Sequence, residues 1–180
     1  MRLIQKPSPD EYPPYSHIYM DLIPDDGLVL TLLKGNLVKI KELVLALPEA
    51  KLYYRYAPGK WTIKEILVHI IDDERIFAYR ALRAARNDQT ELPGFEQDDY
   101  AIYSRANERN LESIFEEYEA VRQATISLFE WLPDDCFMRT VTSTGNVNKR
   151  TVRALAYHIA GHEQRHINII KERYLGLVVN

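Results

Sequence analysis

Apolar residues recur at three- and four-residue intervals along four long stretches of the chain, which begin near residues 26, 62, 111 and 151. This spacing places the apolar side chains on one face of an α-helix, so each stretch predicts an amphipathic helix that buries that face. Pro48 and Pro133 close the first and third stretches, because a proline cannot continue a helix. With little strand pattern between the stretches, the sequence predicts an all-α fold, an up-down four-helix bundle.

Local signals indicate where the predicted helices begin and what joins them. Thr62 and Glu65 have the spacing of a capping box, in which each side chain binds a backbone amide at a helix start. Thr151 is a suitable N-cap for the fourth helix. We also expect a short helix over residues 98–105 and a loop or small hairpin over residues 139–149.

The first 24 residues differ in composition from the rest of the chain. They hold five of the nine prolines and three tyrosines, a composition that disfavours regular structure. We therefore expect residues 1–24 to form an extended arm against the body of the protein. The 180 residues suffice for one sizeable core and are too few for two ordinary domains, so a single domain over residues 1–180 is expected.

Composition narrows the classes of partner and compartment. Apolar residues make up 46% of the chain, charged residues 27%, and the formal charge is −3, so neither nucleic acid nor acidic lipid is expected as a partner. No apolar run approaches the roughly 18 residues of a membrane span, and the polar, proline-rich start is unlike a signal peptide. Cys136 is the sole cysteine and suits a reducing compartment, so a cytoplasmic location is expected.

Candidate chemistry is concentrated in a histidine ladder on the fourth predicted helix. His158, His162 and His166 follow one another at four-residue intervals, and the chain has only five histidines. Residues four apart lie on the same helix face, so two imidazoles can point at one ion. On a helical wheel His162 and His166 fall inside the apolar arc and His158 falls at its edge, so we favour the later pair. A core histidine held by a hydrogen bond is the alternative for any one of them.

Two imidazoles leave an ion short of ligands, because catalytic zinc sites take three protein groups and keep a further position open. His69 is the candidate third ligand, since it lies on the flank of the second helix's apolar stripe. A partly exposed histidine is the equal alternative there. His17 lies in the arm and is assigned no role. Glu163 directly follows His162 and is turned about 100° from it, so the pattern differs from HExxH and a thermolysin-like protease is disfavoured.

Carboxylates near His69 have two possible roles. Asp72 and Asp73 could orient an imidazole, although two solvated acids are the expected arrangement. Glu74 falls in the centre of the apolar stripe, where an ionised carboxylate needs a partner, so a structural ion pair is expected ahead of proton transfer. The candidate partners are Arg80, Arg83, Arg153 and Arg165. Three aromatic residues near helix ends are expected to fill the core rather than line a pocket. They are Trp61, Tyr103 and Trp131.

Four segments resemble the DinB-like family, the metal-binding four-helix bundles that include bacillithiol S-transferases. They are PGKWTIKE (58–65), VHIIDDER (68–75), YRALR (79–83) and YHIAGHEQRH (157–166). The resemblance covers roughly residues 28–175 and implies a three-histidine site of His69, His162 and His166 that binds a divalent ion such as zinc or nickel. It also implies a homodimer.

The resemblance favours a metal-dependent enzyme that activates a thiol or water, either a thiol S-transferase with a low-molecular-weight thiol cosubstrate or a hydrolase acting on a small molecule. The residues themselves do not choose between thiol and water as the nucleophile. A non-catalytic metal-binding or stress-response module is the alternative and predicts a fourth protein ligand. A helical scaffold without metal is the third hypothesis.

Overall fold

The computed structural model describes residues 1–142 and 149–178, and both parts are dominated by helices. Its four long helices confirm the predicted four-helix bundle. The α-helices are α1 His17–Met20, α2 Val29–Leu45, α3 Glu49–Leu52, α4 Ile63–Ala85, α5 Gln97–Tyr103, α6 Leu111–Glu130 and α7 Val152–Ile169. A π-helical turn, Ile170–Tyr174, extends α7. The strands β1 Thr140–Thr142 and β2 Lys149–Thr151 pair antiparallel, with Thr140 opposite Thr151, which agrees with the hairpin of the two predicted alternatives. Residues 143–148 of that prediction lie outside the described residues.

The packing of the long helices brings α4 and α7 together along their lengths. Among the long helices of the described residues, the principal interfaces pair α4 with α6 and α7, and α2 with the same two helices. Two contacts show that α4 and α7 run antiparallel. Early on α4, His69 contacts His166, which lies late on α7. Two turns further along α4, Phe77 contacts His158, which lies earlier on α7. The two histidine-bearing helices of the sequence therefore face each other.

The predicted caps fix where these two helices begin. Thr62 Oγ1 accepts a hydrogen bond from the Glu65 amide at 3.1 Å, and the Glu65 carboxylate accepts one from the Thr62 amide at 2.7 Å. At the start of α7, Thr151 Oγ1 accepts from the Ala154 amide at 3.2 Å. These bonds satisfy amides that the first helical turn leaves unpaired, and typically stabilise a helix by about 1 kcal/mol each.

The N-terminal arm lies against the body as predicted, and it includes short helical turns that the sequence did not indicate. It contains two 3₁₀ turns, Pro9–Glu11 and Pro14–Ser16, followed directly by α1. The fixed φ of proline suits the first position of such turns, which is why a proline-rich segment can become helical. Tyr157 on α7 donates a hydrogen bond to the Ile4 carbonyl at 2.9 Å, which ties the arm to the bundle.

Two apolar clusters fill the ends of the bundle and leave a polar layer between them. One cluster contains Phe77 and the following residues of α4 together with the first half of α7, and the other contains the start of α4 and the end of α7. The middle layer holds buried charged and polar side chains from α4, α6 and α7. They include His69, Asp73, Glu74, Arg122, His158, His162 and Glu163. Buried polar groups are costly unless paired, so this layer is the natural place for function.

Gly161 permits the close approach of the arm to α7. A Cβ at this position would lie 2.7 Å from the carbonyl carbon of Tyr19 and 2.9 Å from its Cβ. We expect Gly161→Ala to lower the free energy of unfolding by about 1–3 kcal/mol, because the arm would have to move away from the helix. Urea denaturation measures the change.

Gly35 in α2 is the matched control, since an added Cβ there meets no atom within 4 Å. Gly35→Ala should raise the free energy of unfolding by about 0.5–1 kcal/mol through helix propensity alone. A Gly161→Ala protein as stable as the Gly35→Ala protein would contradict the close packing of the arm.

Among the described residues, no helix is both long enough and apolar enough to cross a membrane.

Candidate metal centre

His69, His162 and His166 converge in the polar layer between α4 and α7. His69 Nε2 lies 3.0 Å from His162 Nε2, and His166 Nε2 lies 3.2 Å from the same atom. One ligand nitrogen from each residue lies within 4.8 Å of the other two. We call these three residues the histidine cluster. The structure thus brings together the three histidines that the sequence analysis predicted to share one site.

The geometry of the histidine cluster fits a divalent cation. Two imidazole nitrogens bound tetrahedrally to zinc at about 2.0–2.1 Å lie about 3.3 Å apart, close to the separations here. A neutral His162 Nε2 has one lone pair, and two neighbouring Nε2 atoms, those of His69 and His166, face it at hydrogen-bond distance. One lone pair cannot accept two such bonds fully, whereas a cation between the three nitrogens would accept all three lone pairs.

Asp73 lies behind His162, on the side of Nδ1, whereas His69 and His166 face Nε2. Its Oδ2 is 3.3 Å from His162 Nδ1, and it is 5% exposed. A carboxylate here favours the tautomer with the proton on Nδ1, which leaves Nε2 free to bind a cation. Asp73 Oδ2 has no hydrogen-bond partner within the described residues. The expectation of a solvated Asp73 is wrong, while Asp72 is half-buried and lies 3.9 Å from Arg75.

Burial keeps the clustered imidazoles neutral. It lowers the pKa of His69, although the charge of Asp73 acts in the opposite direction. Burial holds the pKa of His162 well below its usual value. It also lowers the pKa of His166 to about 3, with further contributions from His69 and Arg165. Because a metal binds only the neutral form of imidazole, all three side chains are in the ligating form at neutral pH.

His158, the first residue of the ladder, lies outside the histidine cluster. Its ring stacks on Phe77 with the centroids 3.7 Å apart, and its Nε2 lies 3.6 Å from Asp73 Oδ2. It therefore flanks the site next to the carboxylate, as the wheel position at the edge of the arc indicated. His17 lies on the surface, 3.7 Å from Asp21, in agreement with the absence of an assigned role.

Aromatic rings and two cavities surround the histidine cluster. Trp61 lies 4.5 Å from His69, and Tyr19 of the arm lies 5.5 Å from His162, between ring centroids. A cavity of about 240 Å³ lies on the His162 side and one of about 290 Å³ on the His166 side. Gln97, at the start of α5, lines both. Small molecules can thus approach the cluster from two directions.

The expectation that three aromatic residues would fill the core is wrong for Tyr103 and Trp131 and confirmed in part for Trp61, which is partly buried against the apolar cluster at the start of α4. Trp61 is part of the wall of the second cavity and stands against His69. Tyr103 and Trp131 are 81% and 82% exposed, so they fill no core. Residues at helix ends are constrained less by the apolar stripe than residues in the middle, which is why their burial could not be predicted from periodicity.

Glu74 forms the expected structural ion pair, but with a partner from a third helix. Arg122 of α6 donates through Nε to Glu74 Oε1 at 3.0 Å and through Nη2 to Glu74 Oε2 at 2.8 Å. The same Nη2 donates to Glu163 Oε1 at 2.7 Å, and Tyr118 also donates to that oxygen. Glu163 therefore points away from the histidine cluster, as its position beside His162 predicted. The four arginines that the sequence offered as partners of Glu74 do not pair with it: Arg80, Arg83, Arg153 and Arg165.

The sequence did not indicate that three further residues lie at or beside this site, namely Tyr19, Arg122 and Arg150. Arg122 directly follows Val121 of the apolar stripe of α6, and a charge at the edge of a stripe was the only signal for it. Tyr19 and Arg150 lie in the arm and in β2, where no periodicity indicates which side chains point inward. Their placement depends on tertiary packing.

Asp73→Asn tests the orienting role of this carboxylate. We expect metal affinity to fall by about 10- to 100-fold with the fold intact, because a neutral amide no longer fixes the tautomer of His162. Competition with a chromophoric chelator measures the affinity. Asp72→Asn is the neighbouring control and should leave the affinity unchanged; equal losses in both variants would contradict a specific role for Asp73.

Comparison with known proteins identifies the family of this chain. Residues 33–170 match the model of the DinB superfamily. The chain belongs to the DinB superfamily. The resemblance drawn from the four sequence segments is thereby confirmed.

Two relatives carry names that concern metals. A curated protein of Oceanobacillus iheyensis, named as a candidate metal-dependent hydrolase, is 27% identical over 138 residues, which are 74% of this chain and 76% of that protein. YfiT from Bacillus subtilis, described as a probable metal-dependent hydrolase with an unusual four-helix bundle topology, superposes with a TM-score of 0.74. That match is 16% identical and covers 86% of this chain and 89% of YfiT, so it shows the shared fold.

Proposed function

We propose that this protein is a metal-dependent hydrolase of small molecules, with a divalent ion held by His69, His162 and His166. The observation that carries the proposal is the convergence of three imidazoles, those of His69 and His162 buried and that of His166 half-buried, beside two cavities. The names of the two relatives support hydrolysis in particular. Zinc and nickel are the proposed ions, because imidazole nitrogen suits both.

An ion with three protein ligands has a position left for a reactant. Within residues 1–142 and 149–178, the group of candidate ligands contains the three histidines and no further His, Cys, Asp or Glu. Structural zinc sites are closed by four protein ligands, whereas catalytic sites keep one position open. This arrangement favours an enzyme over the non-catalytic metal-binding or stress-response module.

Each residue around the site has a role that its position supports. A divalent ion supplies Lewis acidity, which lowers the pKa of a water or thiol nucleophile and polarises a carbonyl or phosphoryl group. The charge of Asp73, 3.3 Å from His162 Nδ1, favours the tautomer of His162 that leaves Nε2 free to bind the ion. Trp61 and Tyr19 restrict the access of bulk solvent to the cluster, which strengthens electrostatic interactions inside it. Glu74 is engaged by Arg122 and is assigned no catalytic role.

Thiol S-transfer is the second candidate reaction. The same ion and the same cavities suit a low-molecular-weight thiol, which a metal binds as the thiolate. The choice of thiol over water rests on the family resemblance. The homodimer and the cytoplasmic location likewise stay predictions.

The test of the proposed function compares metal-free protein with protein reloaded with zinc, nickel or cobalt. Chromogenic esters, amides and phosphoesters report hydrolysis, and a chromogenic aryl chloride offered with thiols reports S-transfer. We expect the loaded protein to exceed the uncatalysed rate by about 100-fold or more on one class. The activity should be lost in His162→Ala and kept in His17→Ala, the surface control.

If metal-free and metal-loaded protein gave the same reaction rate with every substrate class, the proposal of a metal-dependent enzyme would be contradicted. The non-catalytic metal-binding module would then be the better interpretation. Turnover of the aryl chloride with thiol, but of no hydrolytic substrate, would replace hydrolysis by S-transfer as the reaction.

A further inference from the structure

Two buried arginines face the cavity on the His162 side of the histidine cluster. Arg80 of α4 is 6% exposed and Arg150 of β2 is 3% exposed. Both line the cavity of about 240 Å³ together with His158 and His162. Arginine side chains are almost never so deeply buried unless a carboxylate or another anion balances them.

Neither guanidinium has a carboxylate partner in the described part of the chain. Arg80 Nη2 donates to the Pro93 carbonyl at 3.2 Å, and its other nitrogens have no such bond among the described residues. Arg150 Nη2 donates to the hydroxyl of Tyr15 and lies 3.5 Å from Ser16 Oγ, while its Nε has no partner there. The six residues 143–148 include no Asp or Glu, so they cannot supply the missing charge. Several N–H donors of the two guanidiniums therefore have no acceptor among the described residues, although the side chains are buried.

Contacts with other side chains of the protein balance the charges of Arg80 and Arg150 only in part. Both guanidiniums lie against the ring of Phe77, at 4.8 Å for Arg80 and 5.5 Å for Arg150, and the electron-rich ring face attracts a cation more weakly than a carboxylate does. Burial lowers the pKa of Arg80, the charge of Arg150 lowers it further, and the charge of Asp73 raises it. Asp73 also faces two histidines, so one carboxylate serves several groups.

We propose that Arg80 and Arg150 form a subsite that binds an oxyanion group of the substrate, a carboxylate or a phosphate, next to the metal centre. The planar guanidinium donates paired hydrogen bonds to either group. The proposal rests on the proposed function, since it names the class of molecule that this centre takes. Because the cavity is small, the substrate is a compact organic acid or phosphate with its reacting group directed at the histidine cluster.

Cobalt(II)-loaded protein provides the test, because thiolate binding to cobalt gives a charge-transfer absorption that follows occupancy. The probes are 3-mercaptopropionate, which carries a thiol and a carboxylate, and its neutral methyl ester. We expect the acid to bind at least about 10-fold more tightly than the ester, because only the acid can form a charged, hydrogen-bonded pair with a guanidinium. Inorganic phosphate should compete with the acid more strongly than with the ester.

Arg80→Gln and Arg150→Gln should each reduce the preference for the acid to about 3-fold or less, while cobalt binding and thermal unfolding show that the variants are folded and loaded. Arg83→Gln is the matched control, since Arg83 lies on the same helix and pairs with Asp88 outside the cavity. It should keep the preference. Equal affinities of wild-type protein for acid and ester, or a preference kept in both cavity variants, would overturn the subsite.

Failure of cobalt to bind would count against the metal centre and not against the arginine pair, which is then tested in metal-free protein. Phosphate should raise the melting temperature of the wild type above that in chloride of equal ionic strength, and Arg150→Gln should lose the difference. The absence of a phosphate-specific shift in the wild type would overturn the proposal in this case too.

Discussion

His162→Ala should lower the affinity of the protein for a divalent ion by at least about 100-fold, the largest functional effect expected of a single substitution here. His162 is central because its Nε2 contacts Nε2 of both His69 and His166. Loss of an orienting residue behind a ligand costs 10- to 100-fold, so loss of the ligand itself should cost at least as much. Metal content of tag-free protein after dialysis against buffered zinc or nickel measures the effect.

His158→Ala and His17→Ala are the controls for this prediction. His158 belongs to the same ladder but lies outside the histidine cluster, so its variant should keep the metal stoichiometry of the wild type. His17 is a surface histidine and should have no effect. If His158→Ala lost metal and His162→Ala kept it, the assignment of the ligands would be wrong.

Arg122→Gln should destabilise the fold by about 3–5 kcal/mol, a large share of the 5–15 kcal/mol typical of a domain. Arg122 is 2% exposed and binds Glu74 and Glu163, which are also buried. The substitution leaves those carboxylates without their cation in a medium of low polarity. The bond that Arg122 donates to the Leu33 carbonyl, which ties α6 to α2, is lost as well. Urea denaturation measures the free energy of unfolding.

Arg75→Gln is the matched control, because Arg75 also joins α4 to α6 through an ion pair, with Glu117, but is 47% exposed. Exposed pairs contribute about 0–1 kcal/mol, so this variant should be nearly as stable as the wild type. A loss of less than about 1 kcal/mol in Arg122→Gln would show that the buried network is not a principal stabilising element.

The fold and the choice of the three histidines that cluster could be predicted because each depends on helical periodicity and on motif; their role as metal ligands stays a prediction. Four apolar stripes with two N-caps define the long helices, and the wheel position of His162 and His166 selects them over His158. His69 was nominated from the flank of a stripe, and its approach to the other two depends on the antiparallel contact of α4 with α7. That contact is a property of the bundle.

What could not be predicted depends on the pairing of distant segments. Asp73 is buried because α7 covers it, whereas its own helix position suggested solvent. The partner of Glu74 comes from α6, and a single amphipathic pattern cannot say which of several arginines will reach it. The arm gave no periodicity, yet its Tyr19 packs against Gly161 and lines the site.

X-ray absorption spectroscopy of zinc-loaded, tag-free protein counts the atoms bound to the ion and so tests whether three histidines hold it with a position left open. We expect three imidazole nitrogens at about 2.0–2.1 Å and one further light-atom ligand from solvent. In His162→Ala this set of ligands should be lost. A shell with a sulfur ligand, with a fourth imidazole, or with fewer than three imidazoles would contradict an open three-histidine centre.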